Sequence, residues 1–191
     1  MSQLILASAS PRRASLLKQV GLEFQVIPSN FIEDNTLQMT KHMLTVFFAR
    51  SKAEEVASRV NDGIIIGADT VVVSEHEFLG KPGSAEEAFV MLKKLSGTSH
   101  QVTTGLAVLD KKSEVIRTLY STTNVWFRKL KDEEINSYIK TGDPLDKAGA
   151  YGIQGKAALF VKRIEGCYFN VVGLPLSELA GILTEFGIKI F

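Results

Sequence analysis

A single cysteine, Cys167, leaves no internal disulfide to be made, so the chain must be held by its core alone. No apolar run approaches the ~18 residues that a membrane-crossing helix needs. The short apolar start, Leu4 to Ala9, has no basic residue before it and runs straight into Pro11-Arg12-Arg13. That order is wrong for a secretory signal, and the expectation is a soluble, cytoplasmic protein. Charge of one sign is not in excess either. With 22 Lys+Arg against 21 Asp+Glu, the net charge of +1 gives no general reason to expect nucleic acid or an anionic membrane as a partner. Any anion site must come from a local cluster. The histidines His42, His76 and His100 lack metal-ligand spacing, and His100 reads as a hydrogen-bonding structural residue. Neither G-x-x-x-x-G-K-[ST] nor G-x-G-x-x-G occurs, which argues against the common phosphate-binding loops. Cys167 and the single tryptophan, Trp126, read as core.

What is present is an ordinary globular composition, 45% hydrophobic and 23% charged over 191 residues. A chain of this length buries roughly 70% of its unfolded surface, enough to fold without staples. No repeat or linker divides it, so residues 1–191 are expected to form one domain. Leu4 to Leu6 reads as a buried strand, followed by a helix with Ser10 as N-cap and Pro11 at its first position, stopping at Gly21. Phe24 to Ile27 reads as a second strand. Residues 40–60 read as a helix with an apolar face of Leu44, Phe47, Phe48 and Val56. Ile64-Ile65-Ile66 and Val71-Val72-Val73 read as a strand interrupted by Gly67-Ala68-Asp69-Thr70. Ser84 to Glu87 is a capping box for a helix ended by Gly97. Strands near 102–109 and 115–127, a helix capped by Asp132, strands near 159–164 and at Val171-Val172, and a helix over 176–186 complete the series. The irregular alternation predicts an α/β fold with a mixed sheet flanked by helices.

Four segments carry chemistry. In Ser8-Ala9-Ser10-Pro11-Arg12-Arg13 a strand opens a helix whose free N–H groups and dipole favour an anion, with arginines on the first turn. Asp69 sits among six β-branched residues, a costly place for a charge unless it is paired or used. Strand alternation puts it on the face of Ile65, Gly67 and Val71, and Gly67 is expected to leave that face open beside the carboxylate. Gly80-Lys81-Pro82-Gly83 presents a lysine on a rigid turn, and Lys52 projects from a mostly apolar helix, where lysines often snorkel. The stretch from Gly142 to Gly155 is rich in glycine. There Asp143 and Asp146 are candidates for holding a hard cation, and Gln154 for reading a base edge with its donor and its acceptor.

Taken together, these blocks resemble the Maf family of septum-formation-type nucleoside triphosphate pyrophosphatases over nearly the whole chain. The markers are LILASASPRR (Leu4–Arg13), Glu33, Lys52-Ala53, GADTVV (Gly67–Val72), Gly80-Lys81-Pro82, Ser96-Gly97 with His100, DKAGAYGIQG (Asp146–Gly155) and NVVGLP (Asn170–Pro175). The resemblance implies an inosine triphosphate pyrophosphatase-like fold in two lobes with a cleft, a divalent cation (Mg²⁺ or Mn²⁺) and a homodimer. It implies Asp69 as proton acceptor, and Arg12, Thr70 and Gln154 as positions tied to substrate choice. It adds Ser8, Arg13, Glu33, Lys52 and Lys81 as polar groups lining the cleft. The two carboxylates among these residues, Glu33 and Asp69, are the expected holders of the cation. The form DKAGAYGIQG is similar to the branch acting on dTTP and UTP, releasing the monophosphate and pyrophosphate. The family also carries a link to arrest of cell division, so the rival reading is a nucleotide-binding regulator of septum formation acting through a protein partner. Lys41-His42-Met43 stands where the family commonly has a proline and a tyrosine, at the start of the helix presenting Lys52.

Overall fold

The computed structural model describes residues 3–34, 37–75 and 77–190, and His76 lies outside them. Seven strands form one mixed sheet: β1 (Leu4–Leu6), β2 (Gln25–Val26), β3 (Ile64–Ser74), β4 (Glu77–Leu79), β5 (Ser99–Asp110), β6 (Ile116–Phe127) and β7 (Val161–Glu165). Their order is β2-β1-β3-β5-β6-β7, with β4 bonded to β3. β1 runs parallel to both β2 and β3, with Leu4 beside Ile64 and Leu6 beside Ile66. A parallel strand covered on both faces must be apolar throughout, which is why Leu4-Ile5-Leu6 and Ile64-Ile65-Ile66 are all buried. β4 and β7 are antiparallel on β3 and β6. The helices are α1 (Pro11–Gln19), α2 (Lys41–Ala57), α3 (Ala85–Leu95), α4 (Asp132–Ile139), α5 (Tyr168–Val172) and α6 (Leu176–Glu185). Among the described residues no helix is long and apolar enough to cross a membrane.

The chain divides into two compact units. The first is Met1–Asp69, Thr104–Ser121 and Gly173–Phe191, and the second is Thr70–Thr103 and Thr122–Val172. In the first, α2 packs on the sheet through small residues. Ala49, Ala53 and Ala57 meet Ile5, Ala7, Ile65 and Ala107 in one buried cluster. Two glycines let the helix come this close. A Cβ on Gly67 would lie 2.1 Å from the Ala49 carbonyl oxygen, and one on Gly105 would lie 2.2 Å from that of Thr45. In the second unit, Ser84 caps α3 by accepting from the Glu87 N–H, and α3 and α4 bury Ala88, Leu92, Leu95 and Ile135. Beside them His100, Phe127, Tyr138, Tyr151 and Phe160 form a chain of edge-to-face rings.

Several local expectations need correction. β3 runs unbroken from Ile64 to Ser74, with Asp69 and Thr70 inside it. Ser10 makes no side-chain cap; instead Ser8 Oγ accepts the Ser10 N–H at 3.2 Å. The N-cap of α4 is Lys131 rather than Asp132, because Glu134 reaches back to accept the Lys131 N–H at 2.9 Å. Val171-Val172 ends a short helix rather than forming a strand. Phe47 is not part of the buried face of α2, being 39% exposed. Trp126 is half-buried, with the Arg163 guanidinium 4.7 Å from its ring centroid.

Candidate active site

Asp69 is the last residue of the first unit, and its side chain is buried on the face of β3 that α2 covers. The carboxylate is not left alone there. Lys52 Nζ donates to Asp69 Oδ1 at 2.7 Å and lies 2.6 Å from Glu33 Oε1. Three segments distant in sequence thus converge on one ammonium. The arrangement follows from α2 lying flat on the sheet. Gly67 sits under Ala49 and Ala53, so Lys52 falls above the next residue on that face of β3, which is Asp69. The expectation that Gly67 leaves an open face for a ligand is therefore wrong. The missing Cβ is filled by the α2 backbone, and what the glycine supplies is close approach.

An ammonium has three N–H donors. Two of Lys52's are directed at Asp69 and Glu33, and the third has no partner among the described residues. Likewise, one oxygen of each carboxylate takes no hydrogen bond from a described residue. A fourth charge stands close behind. Arg13, on the first turn of α1, donates through Nε to the Gly173 carbonyl at 2.8 Å and through Nη1 to Ser8 Oγ at 3.0 Å. Burial lowers its pKa, the Asp69 charge opposes that, and Arg12 and Glu33 act more weakly in opposite directions. A guanidinium remains charged regardless, so the first unit holds a compact set of two cations and two carboxylates. Arg12 lies half-buried on the same turn.

The second unit carries the remaining candidates. Thr70 follows Asp69 on β3 and is half-buried. Lys81 is exposed on the turn after β4 and forms no ion pair with a described residue. Gln154 is exposed at the start of a 3₁₀ turn, Gly155–Phe160, and its amide has no hydrogen bond to a described residue. The glycine loop that bears it docks beside Lys81: the Gly149 N–H donates to the Gly80 carbonyl at 3.0 Å. Gly149 has φ +68°, and a Cβ there would lie 3.0 Å from Val72, so glycine is needed twice over.

Asp143 and Asp146, expected to offer a cation site, are engaged within the loop. Lys147 Nζ donates to the Asp143 carbonyl and to Asp146 Oδ1, both at 2.6 Å. Its stem crosses the position of a Gly152 Cβ, which would lie 2.8 Å from it. Lys147 as an internal clasp was missed because a lysine between two aspartates reads equally well as a solvated run. Gly105 was missed too, although an isolated glycine inside a strand is a recognised sign of close backbone approach.

Comparison with known proteins bears directly on this geometry. Residues 3–186 match the family model described as "Maf-like protein". The chain belongs to the Maf-like protein family. A dTTP/UTP pyrophosphatase from Carboxydothermus hydrogenoformans is 49% identical over 97% of this chain and 99% of its own. One from Alkaliphilus oremlandii is 50% identical over 96% and 95%. Among solved structures, the Staphylococcus aureus Ham1 protein aligns with a TM-score of 0.52 at 14% identity, covering 96% of this chain and 98% of that one, a likeness of fold. In this Maf-like chain the motifs GADTVV and DKAGAYGIQG are thus the segments that place Asp69 inside β3 and Gln154 at the head of its 3₁₀ turn.

Proposed function

We propose that this Maf-like protein is a nucleoside triphosphate pyrophosphatase that cleaves dTTP and UTP to the monophosphate and pyrophosphate. The observation that carries the reading is the Asp69 carboxylate, buried within an apolar strand yet held on the Lys52 ammonium at 2.7 Å. The names of the full-length relatives supply the substrates. Hydrolysis between the α and β phosphates demands that a highly charged tail be neutralised and a water be deprotonated. Lys52 and Arg13 supply positive charge without covalent chemistry, and Asp69 takes the proton of the attacking water. In this reading Arg12, Thr70 and Gln154 select the nucleotide, while Ser8 and Lys81 bind its phosphates. Residues 1–191 act as one functional domain, in a cytoplasmic homodimer.

The donor set also fits a divalent cation. Glu33 and Asp69 each keep one carboxylate oxygen without a described partner, at the point where both already face a cation. Among the described residues no cluster of three potential ligands exists. Mg²⁺ is commonly held by one or two carboxylates, with waters and substrate phosphates completing its shell, and Mn²⁺ accepts the same oxygen ligands. When bound, the ion would screen the phosphate charge. Lys52 then has the separate task of fixing the two carboxylates in register, so that Asp69 keeps an oxygen for the proton.

A product-resolved assay with dTTP, UTP and Mg²⁺ or Mn²⁺ tests the reading. Equimolar monophosphate and pyrophosphate are expected. Orthophosphate would instead identify a terminal phosphatase, and tight binding without release would favour a regulator of septum formation.

A further inference from the structure

Glu33 belongs to the segment after β2, whose described residues form no regular secondary structure, yet its carboxylate reaches Lys52 at 2.6 Å. The reason is written along α2. Arg59 Nη2, at the C-terminal end, donates to the Pro28 carbonyl at 2.8 Å. One turn earlier, Glu55 Oε2 accepts the Asn30 N–H at 3.0 Å. The Phe31 ring then lies on Phe47 and Phe48, at centroid distances of 6.3 and 6.0 Å. Arg59 and Glu55 are themselves joined by two contacts of 2.8 Å, through Nε and Nη2, so both anchor groups are held in one orientation. The segment is therefore laid along one stripe of α2, and Glu33 arrives over Lys52.

We propose that Glu55 and Arg59, about one and two turns from Lys52, are positioning residues that hold Glu33 on the active site. This rests on the metal role of Glu33 in the proposed function. An exposed ion pair by itself contributes little to stability. Its value here is that it fixes two backbone groups of a segment whose described residues form no regular secondary structure. Outer-shell partners that orient a metal ligand are typically worth 10–100-fold in metal affinity.

Two measurements on the full chain decide it. Amide hydrogen exchange at Asn30 and Phe31 is expected to quicken in Arg59→Ala and in Glu55→Gln, with the interior of α2 unchanged. Calorimetric titration with Mn²⁺ alone is expected to show roughly tenfold weaker binding in Arg59→Ala, and no further weakening when Arg59→Ala is added to Glu33→Gln. A purely structural role would weaken both backgrounds equally, and that outcome overturns the proposal. Should wild type and Glu33→Gln bind Mn²⁺ equally, the metal role of Glu33 falls. Exchange then decides positioning alone: faster exchange at Asn30 and Phe31 upholds it, and unchanged exchange overturns it.

Discussion

In the first unit Asp69 is buried against Lys52 with Glu33 and Arg13 close by, whereas in the second His100 is buried against Tyr151, Phe127 and little else that is polar. Both sites hide a titratable side chain. In the first, opposite charges face one another and leave donor and acceptor positions unspent. In the second, His100 Nε2 shares a hydrogen bond of 2.7 Å with the Tyr151 hydroxyl, Nδ1 has no described partner, and both groups are neutral. Burial pushes the His100 pKa down to about 4 and the Tyr151 pKa up. Burial alone thus does not mark chemistry. What separates the two sites is compensated charge with donor and acceptor positions to spare, against uncharged groups packed in an aromatic stack.

The largest effect that tests this contrast is loss of the Asp69 charge. Asp69→Asn is nearly isosteric and keeps an oxygen for Lys52, so nucleotide binding should survive while turnover falls ~10²–10⁴-fold, the usual worth of a general base. Single-turnover pyrophosphate release together with equilibrium nucleotide binding measures the two separately. Unchanged turnover would remove Asp69 from the mechanism.

The counterpart in the second unit is a stability effect. The folded state keeps His100 neutral down to about pH 4, but the unfolded chain protonates it near its ordinary 6.5. As pH falls from 6.5 towards 4, the unfolded state binds the proton first and stability is lost. Above 6.5 this contribution is fully present. At 1.36 kcal/mol per unit the window is worth about 3 kcal/mol. Denaturant unfolding of wild type and His100→Phe at several pH values isolates it. Difference curves that stay flat between pH 4 and 6.5 would mean that His100 is not buried neutral.

Gly67→Ala bears on the packing beneath the charged site. The new methyl would meet the Ala49 carbonyl, and backbone cannot yield as a flexible side chain does, so about 2 kcal/mol of destabilisation is expected. Because α2 carries Lys52, turnover should fall as well, even at temperatures where the variant is fully folded. A variant as stable and as active as wild type would show that the helix does not depend on this approach.

Much of the fold is legible from local chemistry. The β-branched run announces β3, Ser84 with Glu87 announces α3, and an apolar stripe announces α2. The candidate site was legible as a set of residues: Asp69 through its cost in an apolar strand, and the basic groups through their motifs. Its geometry was not. Gly67 speaks equally for an open face and for a helix pressed against the strand, and only the tertiary partner distinguishes them. Val171-Val172 carries strand propensity, yet α5 forms there, with Asn170 Nδ2 donating to the Val102 carbonyl and to Thr123 Oγ1, both at 3.0 Å. The contact of Arg59 with the Pro28 carbonyl spans 31 positions and leaves no periodic trace.

Tyr151→Phe gives the smallest effect and the sharpest form of the comparison. It deletes one oxygen, keeps every ring contact, and leaves His100 with neither nitrogen paired to a described residue. A neutral hydrogen bond of this kind contributes about 1 kcal/mol net, to be read from the denaturant midpoint at pH 7.5. The companion measurement removes one partner from a charged pair of similar length: Lys52→Met deletes the ammonium that Asp69 and Glu33 share. That variant should lose more stability at pH 7.5 than Tyr151→Phe, because the buried Asp69 carboxylate is left without its ammonium partner. If the two variants prove equally stable, the Lys52 contacts at 2.6 and 2.7 Å would be no more than surface pairing, and the distinction between the units would fail.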